Sequence, residues 1–283
     1  MARFHFTGGS IELHEQGSGD PVLLLHSTGA SNTQWRALAA QLAARYRVIA
    51  PDLYGYGASP HWSGRGAFSL EHEAAPLRAL IERLDRPAHL LGHSYGGAVA
   101  LHLARTRPHA LQSLTLIEPV AFHLLRDGDG IDTSALHEIE SIAGEVTYAL
   151  ACGDYHAGFG RFVDYWNGPG AWRAIPADRR DALAARLAKV ALDFHAALTD
   201  PARPDDLRTI AVPALLIQGA RTRSPTRRIC ERLERALPRA RLRLIAGAGH
   251  MAPLTHREQV NTLIAAHIDT ARADADAAQA IAA

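Results

Sequence analysis

The sequence predicts an α/β fold: a mostly parallel, eight-stranded sheet with helices on both faces and a helical segment inserted after the sixth strand. Two observations carry this. Short apolar runs alternate with longer stretches of helical periodicity, the pattern of strands joined by crossover helices. That rhythm lapses between residues 120 and 207, where helical patterning continues without a strand, and then resumes. At 283 residues and 47% hydrophobic content, the chain can also bury a sizeable core.

The elements follow in order. Residues 3–16 read as a polar-edged hairpin turning at Gly8-Gly9. Residues 22–26 form a continuous apolar run, as a strand buried on both faces should. A helix over 33–45 puts Trp35, Leu38 and Leu42 on one face. The strand 47–50 stops at Pro51, and a Gly-rich loop leads to Ser59. A helix over 70–84 is weakened in its middle by Pro76. The strand 88–91 runs straight into Gly92-His93-Ser94-Tyr95-Gly96-Gly97, and a helix continues to Arg107. Residues 114–117 are another buried strand, ended by Glu118-Pro119. Beyond the helical segment come strands at 214–217 and 242–245 around a helix at 225–237, then a loop over 246–253 and a terminal helix. The expected organisation is a core of residues 1–119 and 208–283 with a helical cap at 120–207.

Composition removes several function classes. Lys and Arg number 30 against 29 acidic residues, without runs of like charge, so neither a nucleic acid nor an anionic membrane is an expected partner. Lys189 is the only lysine, and the excess of arginine carries no functional implication. Cys152 and Cys230 stand far apart, which excludes a disulfide scaffold and a cysteine zinc site. No stretch approaches the roughly 20 apolar residues needed to span a bilayer, and the first residues lack a signal-peptide core. A cytoplasmic protein acting on a small molecule is the expectation, with oligomeric state open. Metal-ligand spacings and phosphate-cradling loops are missing, so no cofactor is expected.

The chemistry-bearing motif is Gly92-x-Ser94-x-Gly96, placed between a strand and a helix. A serine at the tip of so sharp a turn adopts a strained backbone, and its neighbours two positions away must be small. The turn exposes the Ser94 hydroxyl at the carboxyl edge of the sheet and aims the Tyr95 amide at a developing anion.

With His26-Ser27-Thr28-Gly29, Trp35, Pro51-Asp52-Leu53-x-Gly55-x-Gly57-x-Ser59 and Gly247-x-Gly249-His250, this motif resembles the α/β-hydrolase superfamily. The resemblance covers residues 20–120 and 210–270 and points to the capped branch of esterases, carbon–carbon bond hydrolases, haloperoxidases and epoxide hydrolases. Epoxide hydrolases and haloalkane dehalogenases carry aspartate as nucleophile, whereas this chain has serine and resembles the ester-cleaving members.

The resemblance makes His250 the catalytic histidine. Its place on a Gly-rich loop past a sheet edge also suits a general base, a task for which imidazoles in general are fitted. By position, the oxyanion donors are the backbone amides of Thr28 and Tyr95, with Ser27 where the family more often has glycine. His26 reads as a loop brace and Asp52 as a turn stabiliser. Most relatives place the triad acid about three residues past a glycine after the penultimate strand. Here Thr222 stands at that position, and the usual acid is missing. Glu118 is the candidate replacement: it ends a buried strand, where an ionised group is costly unless compensated. In family order its strand neighbours that of Ser94 at roughly 5 Å. The alternative role for Glu118 is a purely structural bond to the start of the cap.

Three functions stand at this level. The first is hydrolysis of small, mostly apolar carboxylic esters by Ser94, His250 and Glu118. Cleavage of a carbon–carbon bond in a diketone by the same triad is the second. A non-catalytic small-molecule-binding protein, which the missing acid would suit, is the third.

Overall fold

The computed structural model describes residues 2–282. An N-terminal hairpin, β1 (Ala2–Phe6) and β2 (Gly9–Gln16), leads into β3 (Asp20–Leu25). Then come α1 (Arg36–Leu42), β4 (Tyr46–Pro51), α2 (Leu70–Ile81), β5 (Ala88–His93), α3 (Tyr95–Thr106) and β6 (Leu111–Ile117). Between β6 and the next strand lie α4 (Gly130–Ala151), α5 (Tyr155–Asn167), α6 (Ala171–Ala174), α7 (Ala177–Ala184) and α8 (Leu187–Thr199). The chain finishes with β7 (Ala214–Gly219), α9 (Ser224–Ala236), β8 (Ala240–Ile245), α10 (Ala252–Thr255) and α11 (Arg257–Ala282). No described helix is long and apolar enough to cross a membrane.

The eight strands form one sheet in the order β1-β2-β4-β3-β5-β6-β7-β8. Only β2 runs against the rest, antiparallel to β1 on one side and to β4 on the other, and every other neighbouring pair is parallel. The central strands β5 and β7 are buried along their whole length, which their unbroken apolar runs require. Pleating sends Leu23 and Leu25 into one apolar layer with α2, α3 and α9, and Val22 and Leu24 into the other with α1 and α11. On α11 the contact stripe is Val260, Ile264 and Ile268, one residue per turn.

Local signals set the helix starts. Asp129 caps α4 by accepting the N–H groups of Ile131 and Asp132, each at 3.0 Å, and Asp154 caps α5 through Ala157 at 3.1 Å. Three features depart from the pattern-based reading. The helix expected over 33–45 is a 3-10 turn, Asn32–Trp35, followed by the shorter α1. Pro76 lies buried inside an unbroken α2, so packing there outweighs the roughly 3 kcal/mol cost of proline. Strand β6 begins three residues early because Ser113, which interrupts the apolar run, hydrogen-bonds His89 of β5 at 2.7 Å inside the core.

The helical insertion between β6 and β7 is tied down at both ends. Near its start, the buried Asp132 of α4 accepts from Arg228 and Arg232 of α9, both at 2.6 Å. Past its end, Asp200 pairs with His102 of α3 at 2.8 Å.

Burial also leaves a pH signature. It pulls the pKa of His26, His89 and His123 down to about 4, and that of His93 down to about 3. For His26 the reason is visible: Nε2 accepts the Leu53 N–H at 3.0 Å, which an imidazolium cannot do. The unfolded chain binds these protons near pH 6.5 and the native protein does not, so stability falls as pH drops from about 6.5 towards 4. Each such histidine should remove up to about 2 kcal/mol by pH 5. Urea unfolding at pH 7 and pH 5 measures this. An unchanged midpoint would mean that the native state accommodates the charged rings.

Candidate active site

The tips of β5 and β6 end side by side, and each is followed at once by a residue in the left-handed region. Ser94 has φ 55° and Glu118 has φ 46°, the only non-glycine residues with positive φ among those described. Each is held there by the parallel ladder running one step beyond the strands. The Ser94 N–H donates to Ile117 O at 2.9 Å, and the Glu118 N–H to Ile217 O at 3.0 Å. The glycines around Ser94 are sterically required. A Cβ on Gly92 would lie 2.1 Å from Gly96 O, and one on Gly96 would lie 2.5 Å from His26 O.

The loop after β8 delivers His250 to the same edge. Its Nε2 is 2.9 Å from Ser94 Oγ, and its Nδ1 is 3.3 Å from Glu118 Oε2. With the Nδ1 proton directed at Glu118, Nε2 is left to accept the serine proton. Glu118 is fully buried, yet well compensated. Gly219 N–H donates to Oε1 at 2.6 Å, and Thr222 Oγ1 donates to Oε2 at 2.5 Å. The threonine that stands in the usual acid's place is thus a hydrogen-bond donor to the carboxylate that reaches His250.

Thr28 and Tyr95 flank Ser94 across a small recess. Among the described residues, neither backbone N–H is taken by a carbonyl of a loop, turn or cap. Tyr95 opens α3, whose first amides have no partner within the helix. Together the two amides could receive an oxyanion. His26 braces the loop, with Nδ1 2.8 Å from Ser27 O and Nε2 on Leu53. Asp52 accepts from Asn32 and Ala58, tying two loops together.

Three features escaped sequence reasoning. The indole of Trp166, from α5, stacks on the His250 ring with centroids 4.0 Å apart and planes 28° from parallel. His93 donates Nε2–H to His250 O at 2.9 Å while Nδ1 accepts from Gln34 at 3.1 Å, which fixes the loop that carries His250. Behind the recess, Lys189 of α8 lies buried between Glu73 of α2 and Asp193 of its own helix. Burial opposes its ammonium, but the two carboxylates outweigh this and hold its pKa above the ordinary lysine value.

An outer cleft of about 660 Å³ opens onto Ser94 and His250, walled in part by Phe159, Phe162 and Trp166 of the insertion. The inner recess, with Val120, Phe122, Val190 and Phe194 on its walls, has about 20 Å³ of room, enough for one water-sized group. Arg179, Arg186 and Arg257 line the outer cleft, and none of its lining residues is acidic. Of the aromatic residues between 120 and 207, Tyr165 and Trp172 serve the insertion's own packing instead.

A model of the alpha/beta hydrolase family matches residues 22–263. The chain belongs to that family. It is 39% identical to a 2-hydroxy-6-oxo-2,4-heptadienoate hydrolase from Pseudomonas putida over 142 residues, 47% of this chain and about half (49%) of that relative. Over 266 residues, 90% of this chain and 98% of the relative, it is 28% identical to a pimeloyl-(acyl-carrier protein) methyl ester esterase from Aeromonas hydrophila. An esterase structure from Exiguobacterium antarcticum superposes with a TM-score of 0.72 over 92% of this chain and 96% of that one, at 21% identity, a likeness of fold. This alpha/beta hydrolase is thus similar in sequence both to a heptadienoate hydrolase and to a methyl ester esterase.

The burial of its single lysine is directly measurable. An amine-directed succinimidyl ester should leave Lys189 unmodified in the native protein and modify it in urea, as read by peptide mass. Equal modification in both states would contradict the ion cluster.

Proposed function

We propose that this alpha/beta hydrolase cleaves small, mostly apolar carboxylic esters through an acyl-enzyme, with Ser94 as nucleophile, His250 as base and Glu118 as the acid that orients it. The observation that carries this reading is the continuous relay of 2.9 Å from Ser94 Oγ to His250 Nε2 and 3.3 Å from His250 Nδ1 to Glu118 Oε2. His250 takes the serine proton as Oγ attacks the carbonyl carbon, and the Thr28 and Tyr95 amides receive the oxyanion. Glu118 stabilises the imidazolium electrostatically, and the face of Trp166 adds a cation–π contribution. His250 then protonates the leaving alcohol, and water attacks the acyl-enzyme by the reverse sequence.

The helical insertion acts in this reading as a cap. It supplies the aromatic wall of the cleft and the roof over the base. The unequal compartments favour a small group in the recess and a larger one in the cleft. The substrate is a small molecule, and neither nucleic acid nor membrane enters the reaction.

One observation favours carbon–carbon cleavage as the second reading. Arg179, Arg186 and Arg257 in a cleft lined by no acid suit a ketonic carboxylic acid, the class named for the Pseudomonas relative. A non-catalytic binding role would suit a chain with no acid for its histidine, and the contact between Glu118 and His250 speaks against it.

A fluorophosphonate probe should label Ser94 stoichiometrically; an unlabelled serine would sink the hydrolase reading. Glu118→Gln should keep the fold and cut turnover of a p-nitrophenyl ester by about 10³-fold or more, by analogy with loss of an orienting acid. Near-normal turnover would remove Glu118 from the triad. Assaying a dienoate diketone beside the esters separates the two substrate classes.

A further inference from the structure

The proposed mechanism makes no use of the cluster around Lys189, although its three charged side chains lie buried close to the recess. Glu73, Lys189 and Asp193 are 1%, 3% and 3% exposed. Lys189 Nζ donates to Glu73 Oε2 at 2.8 Å and to Asp193 Oδ1, within a cage formed by the rings of Tyr56, Phe68 and Tyr95. Buried ion clusters contribute little net stability compared with apolar packing, so what this one holds in place matters more than its own energy.

It holds two particular side chains. Thr28 Oγ1 donates to Asp193 Oδ2 at 2.7 Å, and Tyr95 OH donates to Glu73 Oε2 at 3.3 Å. Both residues line the recess beside Ser94. Tyr56 OH also donates to Asp193 Oδ2 at 2.7 Å, and the Tyr54 N–H to Glu73 Oε1 at 2.9 Å, so both carboxylates are fixed from the core side. Burial, followed by the nearby carboxylates, pushes the Tyr56 and Tyr95 phenols well up and keeps them protonated donors. Glu73 belongs to α2 of the core, whereas Lys189 and Asp193 stand one turn apart on α8 of the insertion.

We propose that the Glu73–Lys189–Asp193 cluster is a brace for the oxyanion hole, in which each carboxylate positions one donor residue by its side chain and the lysine locks the two carboxylates together. All three are positioning residues. The brace rests on the assignment of Thr28 and Tyr95 as oxyanion donors, and it makes correct seating of the helical insertion a condition for a formed hole.

A misplaced donor weakens binding of the transition state more than that of the substrate, so the loss should fall on kcat. Thr28→Val and Tyr95→Phe delete only the tethering hydroxyls. Each should lower kcat for a p-nitrophenyl ester about tenfold or more, with KM within about threefold and thermal midpoints near that of the unmodified protein. Thr28→Ser, which restores the hydroxyl, should rescue the loss. In a double-mutant cycle, Thr28→Val should add little to Asp193→Asn, because both break one contact. Fully additive effects, or wild-type kcat in both hydroxyl deletions, would overturn the brace. Ser94→Ala, measured alongside, keeps the two levels apart: if it retains turnover the hydrolase reading itself fails. If it is inactive while Thr28→Val and Tyr95→Phe turn over normally, only the brace fails.

Discussion

The site depends on one constraint: two adjacent parallel strands end in step, and each hands its next amide to a neighbouring carbonyl. Those bonds, from Ser94 to Ile117 and from Glu118 to Ile217, pin both residues with positive φ at the edge of the sheet. Neither side chain favours that backbone region, and conformations of this kind cost of order 1–3 kcal/mol each. The buried β5–β6–β7 centre makes such strain tolerable, because relaxing it would break the ladder. In return, a hydroxyl and a carboxylate project from neighbouring tips towards the single imidazole brought by the loop after β8.

How much of this was legible in the sequence follows from how local each signal is. The strand–helix alternation and the tight Gly-x-Ser-x-Gly turn are encoded within a few residues, so the sheet, the inserted helices and the position of Ser94 could be read directly. His250 and the vacancy of the usual acid position came from the family resemblance, and Glu118 from that vacancy together with its place at a buried strand end. The positive φ of Glu118 had no sequence signal, since positive φ is ordinarily announced by glycine. That Thr222 would donate to the relocated carboxylate was likewise invisible, because a threonine at the end of a loop has many partners available.

What was missed shares one property, which is contact between residues remote along the chain. Trp166 over His250, Asp193 with Thr28, and Glu73 with Lys189 each join segments more than 80 residues apart. Lys189 stood out in composition as the only lysine, but composition does not say where a residue lies. A lysine on a helix is ordinarily exposed, and only its two carboxylates and aromatic surroundings make burial tolerable. Helical periodicity placed it on α8, while the chemistry depends on which face of that helix turns inward.

The stacked indole has an implication for how this scaffold could be re-engineered. A helical segment inserted between two strands invites exchange as if it were modular, with the sheet-edge residues left untouched on the core. Here one face of the His250 ring, the proton acceptor in the proposed reaction, is covered by the helical segment, so a replacement segment lacking an aromatic residue at the position of Trp166 would alter the electronic surroundings of that imidazole. On the proposed reading, selectivity and reactivity would not be separable by cutting at the two junctions of the helical segment.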